Sequence, residues 1–167
     1  MPEQRVARIV SGGQSGADRA GIDAAIRHGL PYGGWCPAGG WAEDYPESPG
    51  LLTEYPHLRE TPSPDPKVRT AWNVRDSHAT LIIRANCIDS AGADLTAEVA
   101  DLLGRPRLVT AGELIDFDAW ISTLGYGLTL NVAGPRESEQ PGIYAATRTL
   151  LDRFLRRDVS LEGLGAG

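Results

Sequence analysis

Short β-branched runs alternate along this chain with stretches of helical periodicity, and the first and last of those runs open directly into glycine-rich loops. Val6 to Val10 is strand-like and ends in Ser11-Gly12-Gly13-Gln14-Ser15-Gly16. A helical stretch then continues to about His28, where Gly29 stops it. Ala79 to Ile83, Arg107 to Thr110 and Leu128 to Val132 repeat the strand signal, with Ala79 to Ile83 the most hydrophobic and expected to be central. Helical patterns at about Asp94 to Leu103, Phe117 to Leu124 and Pro141 to Arg156 separate or follow them. This alternation predicts an α/β fold, a Rossmann-like, mostly parallel sheet flanked by helices in a single domain. The expected domain spans 1–158, with a frayed tail over 159–167.

The helical stretches carry definite inward faces. Ala20, Ile22, Ala24, Ala25 and Ile26 are expected inside on the first, where Ser15 and Asp18 have the spacing of a capping box. Leu95, Val99, Leu102 and Leu103 are expected inside on the second long helix, and Ile143, Leu150, Leu151 and Phe154 on the last, whose first turn suits Pro141. The proline- and glycine-rich segment from Pro31 to Pro66 reads as ordered loop with one short strand. Its aromatic residues Tyr32, Trp35, Trp41 and Tyr45 favour packing over disorder. Val68 to Val74 reads as a helical turn.

A parallel sheet gathers the loops at the carboxyl ends of its strands on one rim, where ligands bind. Ser11, Gly12, Gly13, Gln14, Ser15 and Gly16 form one such loop. Glycines there admit a close backbone approach, and the helix start that follows presents N–H groups to an anion. Arg19, placed against the helix dipole, is a candidate anion contact. Asn131, Gly134, Pro135, Arg136, Glu137 and Ser138 repeat the arrangement near the other end of the chain. A third loop, Asp89 to Thr96, contributes Gly92 and Thr96. Together they point to a phosphorylated small molecule. Glu98 is the one candidate catalytic carboxylate, set against a simpler reading as a solvated helix face.

The chain has 167 residues and a formal charge of −6, and Lys67 is its single lysine among sixteen basic residues. An acidic chain lacks the clustered cations of a sequence-independent nucleic-acid grip, so no nucleic-acid partner is expected. Cys36 and Cys87 form no CxxC pair, which predicts neither zinc site nor disulfide framework. No apolar run approaches the length of a membrane span, and no apolar signal region is present, so a cytoplasmic protein with no membrane partner is expected.

Ser11-Gly12-Gly13-Gln14-Ser15-Gly16-Ala17-Asp18-Arg19 resembles the opening of the molybdenum carrier protein family, a Rossmann-like branch related to the lysine-decarboxylase-like (LOG-type) phosphoribohydrolases. Gly33-Gly34-Trp35-Cys36-Pro37, Ala42-Glu43-Asp44, Arg69 to Ser77, Leu130 to Ser138 and Pro141-Gly142-Ile143-Tyr144 resemble it in the same order, over about residues 8–155. The resemblance implies a carrier of molybdenum cofactor (molybdopterin), a phosphorylated pterin with a dithiolene-held metal, acting as a homo-oligomer, dimer or tetramer. The alternative from the related superfamily is a nucleotide-processing enzyme, a phosphoribohydrolase-like N-glycosidase. Two loops depart from the family pattern. Ala38-Gly39-Gly40-Trp41 replaces a basic stretch, and Ala91-Gly92-Ala93-Asp94 replaces a Gly-Gly-Thr loop.

Overall fold

The computed structural model describes the backbone of residues 4–164 and the side chains of residues 4–158. Strand β1 (Val6–Val10) leads to helix α1 (Ala17–Arg27). The Pro31–Pro66 segment follows, with β2 (Tyr32–Gly33), β3 (Trp35–Cys36), the short helix α2 (Leu51–Glu54) and β4 (Arg59–Glu60). Next come α3 (Pro66–Arg75), β5 (Ala79–Ile83), α4 (Ala91–Leu102), β6 (Arg107–Thr110), α5 (Leu114–Ile121), β7 (Leu128–Ala133) and α6 (Ile143–Leu164). Five strands form one sheet in the order β2-β1-β7-β5-β6, and β3 pairs with β4 in a second. Every strand pairing is parallel. The chain is a single α/β domain of Rossmann-like type.

Strand alternation assigns the two faces. Leu81 and Ile83 join Leu130, Val132, Phe117, Leu151 and Phe154 in the main core, which packs α1, α5 and α6 on one side of the sheet. Ile82 points the other way, to Ala93 on α4. Helix α1 crosses β7 closely: a Cβ on Gly21 would stand 2.7 Å from the Cβ of Val132. A smaller cluster of Ile22, Cys36, Ala42, Leu51 and Leu58 seats the Pro31–Pro66 segment against α1. This segment holds three two-residue strands and a helical turn, where the sequence suggested one strand. All five residues of β5 are buried, and it lies beside β7, which takes the centre of the sheet.

Several inward faces need correction. Ile26 is exposed, whereas Ala20, Ile22, Ala24 and Ala25 are buried. On α4 the buried residues are Ala93, Thr96 and Ala100, while Leu102 and Leu103 are exposed. Small side chains bring α4 close to its neighbours, and Leu95 and Val99 are half-buried. Helix α5 begins at Leu114, three residues before its expected start. Pro141 precedes α6 rather than occupying its first turn. Ile143, Leu150, Leu151 and Phe154 are buried as expected. Of the expected tail, the backbone is helical to Leu164, and residues 165–167 lie outside the described residues.

Candidate functional site

Strands β1, β7 and β5 are neighbours and parallel, so their three carboxyl-end loops meet on one rim. Between them lies a cavity of about 250 Å³. Gln14 and Asp18 reach it from the first loop and α1. Ser90, Ala91, Gly92 and Thr96 come from the third loop and α4. Ala133, Gly134, Arg136 and Glu139 come from the last loop, and Trp41, Arg69 and Thr70 from the segments between. Below it, Gly12, Asn73 and Asn131 surround a small polar void that shares Asp18, Arg69, Thr70, Thr96 and Ala133 with the cavity. The void measures about 10 Å³.

The first glycine loop is built differently from its sequence reading. Its donors are already engaged by the protein. Gly13 N–H donates to Ser11 Oγ (3.1 Å), and Ser15 N–H to Gln14 Oε1 (3.0 Å). The N–H groups of Gln14 and Gly134 are directed to the Asp18 carboxyl. Ser11 is fully buried and donates to the Asp18 carbonyl (2.8 Å). Gly13 faces the apolar cluster: a Cβ there would stand 2.9 Å from Leu51. Helix α1 is capped by Gly16 at φ +85°, with no side-chain cap, so the Ser15 and Asp18 capping box does not form. Ala17 N–H donates to the Pro135 carbonyl (3.4 Å), and the last loop lies directly over this helix start. A Cβ on Gly16 would stand 2.4 Å from that carbonyl oxygen.

Arg19 is likewise engaged within the protein. Its guanidinium grips Asp44 at 2.9 and 2.8 Å and donates through Nε to the Gly13 carbonyl (3.0 Å). It does not line the cavity. Asp18 is buried at the floor and faces Arg69 Nη1 at 3.1 Å. Burial pushes its carboxyl above the usual range, against the pull of Arg69 and the two loop N–H groups. Arg69 Nε is buried without a hydrogen-bond partner.

Glu43 ties the rim together, and no sequence signal singled it out beyond the quoted motif. Its backbone N–H donates to Gln14 Oε1 (2.9 Å), while its carboxylate accepts from Ser15 Oγ and Ser138 Oγ (2.5 Å for the latter). It also accepts from Ser138 N–H (3.3 Å) and lies 3.5 Å from Arg136 Nη1. Partial burial pushes the carboxyl up, but the hydrogen bonds from Ser138 and Ser15 outweigh it and leave the group below its ordinary value. Glu139 braces the opposite wall, accepting from Arg136 N–H (2.9 Å) and Ser90 Oγ (3.4 Å). Glu137 points to α6 and accepts from Gly142 and Tyr144 N–H (2.6 and 3.0 Å). Asn131 donates to Thr80 Oγ1 (3.3 Å), and Thr96 to the Gly92 carbonyl (2.8 Å). Glu98 is exposed and off the cavity, as a solvated helix face would be.

The third loop, the weakest in sequence, has the most open donors. Ser90 caps α4, its Oγ accepting from Ala93 N–H (3.3 Å), and the first-turn backbone at Ala91 and Gly92 forms cavity wall. Trp35 anchors its loop, with its backbone clasped by Asn73 and its indole N–H donating to Asp76 (2.8 Å). Cys36 is a small buried side chain whose thiol burial pushes up to about 11. Among the described residues no group of three or more His, Cys, Asp or Glu could hold a metal ion, and no helix is long and apolar enough to cross a membrane.

The model of the circularly permutated YpsA SLOG family matches residues 9–155. A crystal structure from Syntrophus aciditrophicus SB, of a protein named "Putative molybdenum carrier protein", superposes with a TM-score of 0.80 at 38% sequence identity. The match covers 92% of this chain and 97% of that one. No curated protein matches. The family match runs from the end of β1 through all three rim loops into α6, and the chain belongs to the circularly permutated YpsA SLOG family.

Proposed function

We propose that this protein binds and carries a phosphorylated heterocyclic small molecule in the rim cavity, with molybdenum cofactor as the cargo. The observation that carries the reading is the Arg69 guanidinium. Its Nε is buried without a partner, and Arg136 lines the same cavity. Two planar cationic forks suit a phosphate. The α4 start adds backbone donors on the same wall, and Trp41 offers a flat face for a ring. No sulfur lines the cavity, and Cys36 packs in the apolar cluster. The chain's own residues thus suit the phosphate and the ring, and a cargo metal would stay on the pterin's dithiolene. The name of the Syntrophus protein supports a molybdenum-related cargo.

The glycine loops serve this site as scaffold. Gly134 has Ile83 carbonyl oxygen 2.4 Å from where a Cβ would stand, so the last loop can lie against β5 and carry Arg136 to the cavity. The exposed position of Glu98 weighs against the alternative N-glycosidase, which needs an acid beside the departing base. A homo-oligomer, dimer or tetramer, belongs to the same proposal, with exposed apolar side chains at Leu102, Val109 and Ile115 available for contact. Calorimetric titration with a pterin phosphate tests the reading. Arg69→Gln and Arg136→Ala should each weaken binding by about 1.5–3 kcal/mol, the scale of a charge-assisted hydrogen bond. Unchanged affinity in both variants would refute it, as would release of free base from a panel of nucleoside monophosphates.

A further inference from the structure

The motif Gly33-Gly34-Trp35 has no part in the rim cavity, yet it borders a second one of about 160 Å³. None of the residues lining this cavity lines the first. Arg8 and Arg59 supply its cationic groups, and His57 lines it beside them. Parallel pairing of β3 with β4 sets Arg59 opposite Trp35, so their side chains share a face. His57 is held by stacking on Tyr32, with ring centroids 5.0 Å apart and planes 14° from parallel. The lone carboxylate lining the cavity, Asp76, is taken up by Arg75 (2.7 and 3.0 Å) and by the Trp35 indole. No described carboxylate lies within ion-pair distance of Arg8 or Arg59, in a chain with an excess of acids.

Gly33 shows where the Arg8 head lies. Its φ is not positive, so its backbone does not demand glycine. A Cβ there would stand 2.2 Å from Arg8 Nη2. The missing side chain leaves the space in which the guanidinium lies across β2.

We infer that this cavity is a second anion site, taking a tetrahedral phosphate group through the Arg8 and Arg59 guanidinium forks, with His57 as a third donor. The group is either free inorganic phosphate or the terminal phosphate of a monoester. Both guanidinium groups are on exposed side chains, so substituting them leaves the core intact.

The test is calorimetry of the full chain in phosphate-free buffer, titrated in separate arms with inorganic phosphate and with glycerol 3-phosphate. Arg8→Gln and Arg59→Gln should each raise Kd about tenfold or more. Gly33→Ala keeps both arginines but displaces the Arg8 head, and should weaken binding as well. All titrations are made on the Arg136→Ala background, which weakens the phosphate binding proposed for the rim cavity, so that the binding that remains reports on this second cavity. Binding of phosphate alone identifies the free ion as the ligand, and binding of both arms identifies a phosphate group that tolerates an ester. Failure of the Arg136→Ala protein to bind either probe overturns the site. So does binding on that background that survives Arg8→Gln and Arg59→Gln.

Discussion

Replacing Glu43 by alanine should lower the stability of the fold by about 3 kcal/mol. The carboxylate accepts hydrogen bonds from Ser15 Oγ, Ser138 Oγ and Ser138 N–H. Bonds to a charged group are worth about 1.5–3 kcal/mol each when fully sheltered. Here the Glu43 side chain is 22% exposed, and water recovers part of that loss in the variant. The Arg136 contact at 3.5 Å, with a half-exposed guanidinium, adds under about 1 kcal/mol. Glu43→Gln keeps an acceptor and loses the charge, for a cost of about 1.5 kcal/mol. With a urea dependence near 2 kcal/mol per molar, alanine should move the unfolding midpoint down by about 1.5 M. The pH dependence separates charge from shape. The folded pKa of Glu43 lies below its ordinary 4.5, so its charge stabilises the fold above that value and the benefit is lost as pH falls through the folded pKa. The gap between wild type and Glu43→Gln, measured by urea unfolding, should therefore be full at pH 7 and close in acid. An equal gap at pH 7 and pH 3, or a wild-type midpoint for Glu43→Ala, would refute the assignment of Glu43 as the clasp of the rim.

Two further outcomes follow from packing. Gly16→Ala combines a left-handed backbone with a Cβ driven onto the Pro135 carbonyl and the Glu137 amide, and should cost about 3 kcal/mol or more in urea unfolding. A loss under 1 kcal/mol would mean that the last loop can lift off α1 freely. Cys87 is exposed and Cys36 is buried with its thiol pushed up to about 11. Iodoacetamide at pH 8 should thus add one label to the folded chain and two after denaturation, as read by intact mass. Two labels on the folded protein would show that the apolar cluster opens.

The main strands were legible because β-branched runs between glycine-rich loops leave few alternatives. The rim followed from them, since parallel strands put their carboxyl-end loops together. Strands β2, β3 and β4 were not legible: two residues carry no period, and their pairing depends on β1 and on each other. Periodicity found the leucine stripe of α4 but could not say that Ala93 and Ala100 would win the close contact. Glu43 escaped for a different reason. Its partners Ser15 and Ser138 lie 28 and 95 residues away, and only the finished fold brings them to one carboxylate. The glycine loop was recognised as an anion cradle, and the structure fills much of it with Asp18 and the last loop. A sequence displays donors without showing which acceptor reaches them first.

The place of β7 bears on how the protein is made. It is the last strand in sequence and the middle one in space, slotted between β1 and β5. Until residues 128–133 have left the ribosome, the two halves of the sheet have no strand to hydrogen-bond them together, and the wall carrying Arg136 does not exist. Contacts of such long sequence separation form slowly, because loop closure must precede them. A growing chain therefore exposes the edges of β1 and β5 while it waits, a period of vulnerability to mispairing. The rim cavity and the completed sheet come into being in the same event, so a ligand of the kind proposed for that cavity would be taken up only by a chain that has finished folding.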